Sequence, residues 1–324
     1  MYCVIDTTTD PFWNLAEEEY LLKSINKPVF RLWRNEPSVI IGRNQNALAE
    51  IDSDYVRSNG IKVVRRLTGG GAVFHDLGNV NFTFVDAAVA GEDTSAMFRR
   101  FTAPILSALR NLGVDARLEG RNDLVIDSRK FSGNAVCIHR GRILQHGTLL
   151  FSASMNNLAG ALRAREEKFT GRAVKSNRSR VTNISEHLPE KMSVEQFISY
   201  LSETIGRECT PYKFTEKDIK AIECLAREKY STDEWNYGKS PKYTFSKCQK
   251  FPSGMIEVYL NVEQGIIRSA QIFGDYFFRR PTKEVCDALC GCPHDKKQIA
   301  GRLSLLASDD YFCGITPEEL LQLF

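Results

Sequence analysis

A chain of 324 residues, 43% hydrophobic and 26% charged, has the make-up of a globular protein and is long enough for two domains. Its 43 Lys and Arg against 40 Asp and Glu leave a net charge of +3, too little for a nucleic-acid coat, and no apolar run reaches the length of a membrane span. The opening stretch MYCVIDTTTDPFWNLAEEEYLL lacks the basic and apolar regions of a signal peptide, and nine cysteines without paired spacing fit a reducing cytoplasm.

Leu15, Glu18, Leu21, Leu22 and Ile25 recur at helical spacing and predict the first helix. VFRLWRNEPSVIIGRNQN reads as two short strands about the turn Asn35–Glu36–Pro37. The next stretch, IKVVRRLTGGGAVFHDLGNVNFTFV, reads as a strand, a glycine loop and a hairpin turning at Leu77–Gly78–Asn79. Phe98, Phe101, Ile105, Leu109 and Leu112 predict a helix stopped by Gly113. Residues 123–151 predict a three-strand meander with turns near Asp127–Ser128 and Arg140–Gly141. Residues 163–180 are strongly basic with little apolar periodicity and read as an exposed, mobile segment. Two helices follow, the first with a Ser193/Gln196 capping box and Gly206 at its end. WNYGKSPKYTFSK reads as a linker, followed by a hairpin turning near Glu263–Gly265 and by closing helices, the last capped by Thr316. The expectation is an α/β catalytic domain over 1–243, a mixed central sheet flanked by helices, and a small α+β domain over 244–324.

Three clusters could carry chemistry. In RRLTGGGAVF, glycines let backbone N–H groups approach an anion, or they make a turn between solvated arginines. Arg65 and Arg66 are strand neighbours, so only one faces what the loop holds. In GRNDLVIDSRKFSGNAV, Asp123 is either a turn residue or the holder of a Mg²⁺ that a nucleotide brings. Lys130 is either an exposed edge lysine or a charge above open space left by Ser132 and Asn134, which share its face if no bulge intervenes. In ILQHGTLLFS, His146 and Thr148 share a face; His146, like His75, reads as structural. Cys137 lies an odd seven positions from Lys130, which on a regular strand puts it on the opposite face and argues against a cysteine–lysine pair. Cys286, Cys290, Cys292 and His294 form C-x3-C-x-C-x-H, either a zinc site of unusual spacing or thiols at a helix end.

In series, LWRNEPSVIIGRNQN, RRLTGGGAVFHDLGNVNFTF, GRNDLVIDSRKFSGNA, HGTLLF and RSRVTNISE resemble the long-form bacterial lipoate–protein ligases, and the likeness continues through EWNYGKSPKY and QIFGD. The resemblance implies a fold shared with biotin ligase and octanoyl transferase. It implies that lipoate and MgATP give lipoyl-AMP and pyrophosphate, and that the lipoyl group then passes to a lysine of a carrier domain, such as the glycine-cleavage H protein or a 2-oxoacid dehydrogenase E2. By the same resemblance, Arg66 and Gly71, Ala72, Val73 and Phe74 bind ATP. Lys130 meets both the ATP and the lipoate carboxylate. Trp33, Gly70 and His75 line the acyl tunnel, Asp123 meets the metal, and a loop with Lys175, Arg178 and Arg180 covers the adenylate. The competing expectations are an ATP-independent lipoyl or octanoyl transferase (or amidotransferase) with a cysteine nucleophile, and a non-catalytic module that docks lipoyl domains.

Overall fold

A computed structural model describes residues 1–5, 7–45, 47–155, 160–162, 181–237, 245–263 and 265–324. The chain divides into two compact units. The first takes Met1–Ile41, Ala47–Arg65 and Ala72–Asn236; the second takes Gly42–Asn46, Arg66–Gly71 and Tyr237–Phe324. The expected boundary at 243/244 and most of the expected linker lie outside the described residues.

The strands of the first unit, in chain order, are Tyr2–Ile5 (β1), Val29–Trp33 (β2), Ser38–Ile41 (β3), Lys62–Arg65 (β4), Val73–His75 (β5), Asn79–Ala87 (β6), Ala116–Glu119 (β7), Asp123–Ile126 (β8), Arg129–His139 (β9), Arg142–Leu150 (β10) and Thr210–Pro211 (β11). Eight of them form a mixed sheet in the order β11-β1-β2-β6-β10-β9-β8-β7; β4-β3-β5 make a second, smaller sheet. Strand neighbours alternate faces, so the large sheet has two sides. On one side, Phe84 packs against Phe101 of the helix Thr94–Asn111, the rings tilted by 30° with centroids 5.8 Å apart. Phe98, Phe101, Ile105 and Leu109 of that helix are buried at the spacing read from the sequence. Burying each such side chain stabilises by about 1.5–3 kcal/mol over leaving it exposed. The other side faces the first helix, Pro11–Ser24 (α1), capped by Asp10 accepting from Phe12 N.

Two expected connections differ from the structure. β2 and β3, neighbours about Pro37, enter different sheets. The bend between them is tied to α1: the Asn14 amide donates to Thr8 O, Arg34 O and Asn35 Oδ1 at 2.9–3.0 Å. The expected hairpin at Leu77–Gly78–Asn79 is a corner between sheets: β5 pairs with β3, while β6 pairs with β2 and β10. Gly78 O accepts from Phe151 N and Ser152 N just beyond β10, and Asp76 closes the turn on Gly78 N. A backbone engaged with β10 in this way does not return along β5.

In the second unit, Phe245–Phe251 (β12), Gly254–Glu263 (β13) and Ile266–Gly274 (β14) form an antiparallel sheet. Short helices at Lys283–Leu289, Lys296–Leu303, Ser308–Tyr311 and Pro317–Leu321 follow. Ile256, Val258 and Leu260 of the sheet bury against Val285, Leu303 and Leu320 of the helices, and Thr316 makes the expected capping box with Glu319.

Candidate active site

The β8–β9 hairpin turns on two residues of positive φ, Asp127 at 50° and Ser128 at 60°. Just beyond it the register slips: Val125 opposes Lys130 but Leu124 opposes Ser132, so Phe131 is the extra residue of a β-bulge. Phe131 is fully buried. The bulge throws the Lys130 stem over Gly133, whose missing Cβ would stand 3.2 Å from Nζ and 3.3 Å from Cε. Asp123 lies directly across from Gly133, and its Oδ1 is 2.7 Å from the Lys130 amine. The Lys130 carbonyl accepts from Thr182 N at 2.9 Å, which fixes the backbone. Lys130, Asp123 and Gly133 line a cavity of about 580 Å³ together with Ala72, Val73 and Phe74.

The bulge also corrects the argument about Cys137. From Gly133 onward β9 pairs regularly with β10, so Cys137 shares the face of Gly133, and of the Lys130 amine that sits over it. The two are separated by length instead: four residues from Gly133 to Cys137 span about 13 Å. Cys137 is buried, opposite Leu144.

The same sheet face carries a buried polar network that begins on α1. Trp33 Nε1 donates to Thr83 Oγ1 at 2.8 Å, and Thr83 donates to Glu18 Oε1 at 2.5 Å. Glu18 Oε2 lies 2.9 Å from His146 Nδ1. Burial pushes the Glu18 carboxyl up, but the facing His146, the hydrogen bonds and the nearby Arg31 charge outweigh it and hold it below the ordinary carboxylate range. Arg31 pairs with Glu17 at 2.6 Å, both fully buried. Arg31 also donates to Asn14 Oδ1 at 2.6 Å, so the Asn14 nitrogen is left to donate to Asn35 Oδ1. Asn35 Nδ2 then donates to His75 Nδ1 at 3.1 Å, which places the neutral His75 proton on Nε2. The Trp33 and His75 rings meet edge to face, centroids 6.0 Å apart.

The two arginines divide, but not as neighbours on one strand as expected: β4 ends at Arg65, and Arg66 opens the loop that follows. Arg65 binds the Trp235 and Asn236 carbonyls at 3.0 and 2.8 Å. Arg66, in the second unit, turns to the glycine loop: it donates to Thr68 Oγ1 and to the Gly69 and Gly71 carbonyls at 2.9, 2.6 and 2.8 Å. The three glycines answer to three constraints. A Cβ on Gly69 would strike the Tyr276 carbonyl, Gly70 sits at φ +88°, and Gly71 meets nothing within 4 Å. The fold itself does not require a glycine at 71; open backbone beside a fixed guanidinium is what an anion needs.

The family models match both parts of the chain: residues 10–206 fit the lipoyl protein ligase A/B catalytic domain, and residues 240–324 fit the bacterial lipoate protein ligase C-terminus. The chain belongs to the lipoate–protein ligase family. It is 43% identical to the lipoate-protein ligase LplJ of Bacillus subtilis, over 97% of this chain and 96% of the relative. Among solved structures it is similar to Plasmodium falciparum LipL1 in complex with lipoate (TM-score 0.77, 27% identity, 94% of each chain). It is also similar to a bipartite archaeal ligase described with its E2 lipoyl domain from Thermoplasma acidophilum (0.65, 34%, 75% of this chain and 98% of that one). A lipoate-protein ligase A bound with ATP is comparable (0.64, 32%, 73% and 98%).

In this ligase Lys175, Arg178 and Arg180 lie outside the described residues. Among the described residues no group of three or more His, Cys, Asp and Glu side chains is placed to hold a metal, and the C-x3-C-x-C-x-H thiols are spent locally: Cys290 Sγ on Cys286 O, Cys292 Sγ on Pro293 O. The sequence reading missed Glu18 and His146 as a pair. Period two along β10 placed His146 on the face of Thr148, but the partner is 128 residues away on α1.

Proposed function

We propose that this ligase activates lipoate with ATP and transfers the lipoyl group to a lysine of a lipoyl-carrier domain. The observation that carries the reading is the Lys130 amine, held over Gly133 in the cavity that Ala72, Val73 and Phe74 also line. A carboxylate attacking the α-phosphate brings two anions together, and a fixed ammonium between them lowers that repulsion most where charge develops. Attack forms the C–O–P bond of lipoyl-AMP and expels pyrophosphate. An acceptor lysine amine then attacks the acyl carbon and AMP leaves.

Lys130 acts as a positioned charge in both the nucleotide and the acyl contacts. Ala72, Val73 and Phe74 give ATP its wall; within its own unit Arg66 braces the glycine loop, with Gly70 supplying the turn and Gly71 the open backbone that suits an anion. Trp33 and His75 wall the acyl tail. A Mg²⁺ arriving with the nucleotide needs only one or two carboxylates, which fits Asp123 and the cross-strand Glu119 on the same cavity. Such an ion would offset phosphate charge, and taking Asp123 would release Lys130 to its substrates. Nine cysteines, all free, support a reducing, cytoplasmic setting, and the described residues contain no helix long and apolar enough to cross a membrane. The E2 lipoyl domain described with the archaeal relative supports carriers of that class, the glycine-cleavage H protein being another. The test is pyrophosphate release with and without lipoate: wild type releases it only with lipoate, and Lys130→Ala is slowed about 10²–10³-fold while folded. Equal rates in the two proteins would remove Lys130 from the chemistry.

A further inference from the structure

On the face of β6 that carries Thr83, Asn79 and Asn81 form an amide pair, Asn79 Nδ2 donating to Asn81 Oδ1 at 2.9 Å. Both are buried, Asn79 at 0% and Asn81 at 1% exposure. With its oxygen engaged, Asn81 has its Nδ2 left over, and among the described residues that atom has no acceptor; Asn79 Oδ1, at the other end of the pair, has no donor. A buried amide N–H without an acceptor is costly, and in folded proteins such a group calls for an explanation. Asn81 is not remote from the cavity. It is directly opposite Thr148 on one side and Trp33 on the other, and Thr148 lines the cavity and accepts from Gly133 N at 3.1 Å. Gly133, Thr148, Asn81 and Trp33 therefore form one row across four strands, on the face where the Lys130 amine sits over Gly133.

We propose that Asn81 Nδ2 is the hydrogen-bond donor that recognises the disulfide-bearing end of the acyl substrate and so selects lipoate over its sulfur-free analogue octanoate. This rests on the ligase reading above, with the carboxylate held at Lys130. Neighbouring strands are about 4.8 Å apart, so Asn81, two strands from Gly133, is roughly 10 Å along the row. An extended chain of five C–C bonds spans roughly 6 Å before the ring begins. Adding the carboxylate contact and the ring brings the sulfurs to Asn81 rather than to Thr148. A disulfide sulfur is a weak acceptor, but it is an acceptor; a methyl-terminated chain leaves the amide N–H unpaired. A site that hydrogen-bonds its substrate rejects an analogue lacking the partner group, and the weakness of N–H···S limits this to about tenfold rather than the far larger factors of hydroxyl recognition.

The experiment compares kcat/KM for lipoate- and octanoate-dependent pyrophosphate release in wild type and Asn81→Leu, which replaces the amide with an apolar group of similar volume. The lipoate-to-octanoate ratio is expected to fall about tenfold (about 1.4 kcal/mol), through a higher KM for lipoate at unchanged kcat, with octanoate turnover kept or improved. A ratio that stays within twofold overturns the proposal and assigns the amide a buried water. If Asn81→Leu does not fold, Asn81→Ser, too short to reach the ring, and calorimetric titration of both acids into wild type carry the same comparison: equal affinity of wild type for the two acids overturns it. Wild type that releases no pyrophosphate with either acid contradicts the ligase reading itself, a different outcome from an unchanged ratio.

Discussion

Lys130 reaches the cavity because the residue three positions on has no side chain. A Cβ at 133 would stand 3.2 Å from its amine, a distance a flexible stem can yield by a few tenths of an ångström. Gly133→Ala is therefore expected to be mild. Gly133→Val adds branches at the same place, displaces the amine, and is expected to slow adenylate formation about a hundredfold, as misplacement by about 1 Å does elsewhere. Pyrophosphate release measured beside a thermal melt separates this from unfolding; a fully active Gly133→Val would mean that the amine does not work where it is seen. Cys137→Ser is expected to keep most of the ligase activity, because the thiol is buried some 13 Å along the strand from Gly133. Trapping an acyl thioester on Cys137, with loss of activity in the serine variant, would place the protein among the transferases. The residue types at the site were legible: lysine followed by small residues, an aspartate opening a strand, glycines after an arginine. The bulge at Phe131 was not, since nothing in RKFSGNAV distinguishes a regular strand from a bulged one, and counting by twos put Cys137 on the wrong face.

At the scale of elements, α1 is the helix the spacing foretold, yet its three consecutive glutamates are buried rather than solvated. Each has a separate partner: Glu17 has Arg31, Glu18 has His146 and Thr83, and Glu19 has Lys23, Lys229 and Tyr230 at 2.5–2.7 Å. Only Lys23 is local, one turn on along α1; the other partners lie on β2, β6, β10 and a distant helical turn, so no local window of sequence could reveal them. Removing one member of a buried ion pair strands the other charge. Glu17→Leu is expected to cost about 3–5 kcal/mol in denaturant unfolding, and the double change with Arg31→Leu to recover most of it. Purely additive losses would show that the pair is not coupled. Glu18 and Glu19 are both held below the ordinary value of 4.5; for Glu19 too, burial pushes the pKa up and Lys229, with the bonds from Lys23 and Tyr230, outweighs it. A carboxyl that ionises more readily folded than unfolded stabilises fully above about pH 5, and that contribution drains as the pH falls below 4.5. The acid limb of the stability curve is expected to flatten in Glu18→Gln, and an unchanged acid limb would contradict the pairing with His146.

At the scale of the molecule, the order of motifs along the chain was enough to read a mixed sheet with flanking helices and a small second α+β unit. What the chain order hides is which segments belong together. Gly42–Asn46 and Arg66–Gly71 pack with residues 237–324, and β2 and β3 part company at Pro37 although they look like a hairpin. Turn residues report that the chain bends and leave unsaid which partner the next strand finds. The function stands or falls on the coupling of two half-reactions, carboxylate activation and acyl transfer, in one protein. The most direct measurement is mass spectrometry of an apo lipoyl domain after incubation with the enzyme and lipoate, with and without MgATP, alongside AMP and pyrophosphate release. The expected result is one lipoyl group on one lysine, only when MgATP is present, with one AMP released per group transferred. Modification that proceeds from an acylated carrier without ATP, or nucleotide cleavage without acceptor modification, would contradict the account.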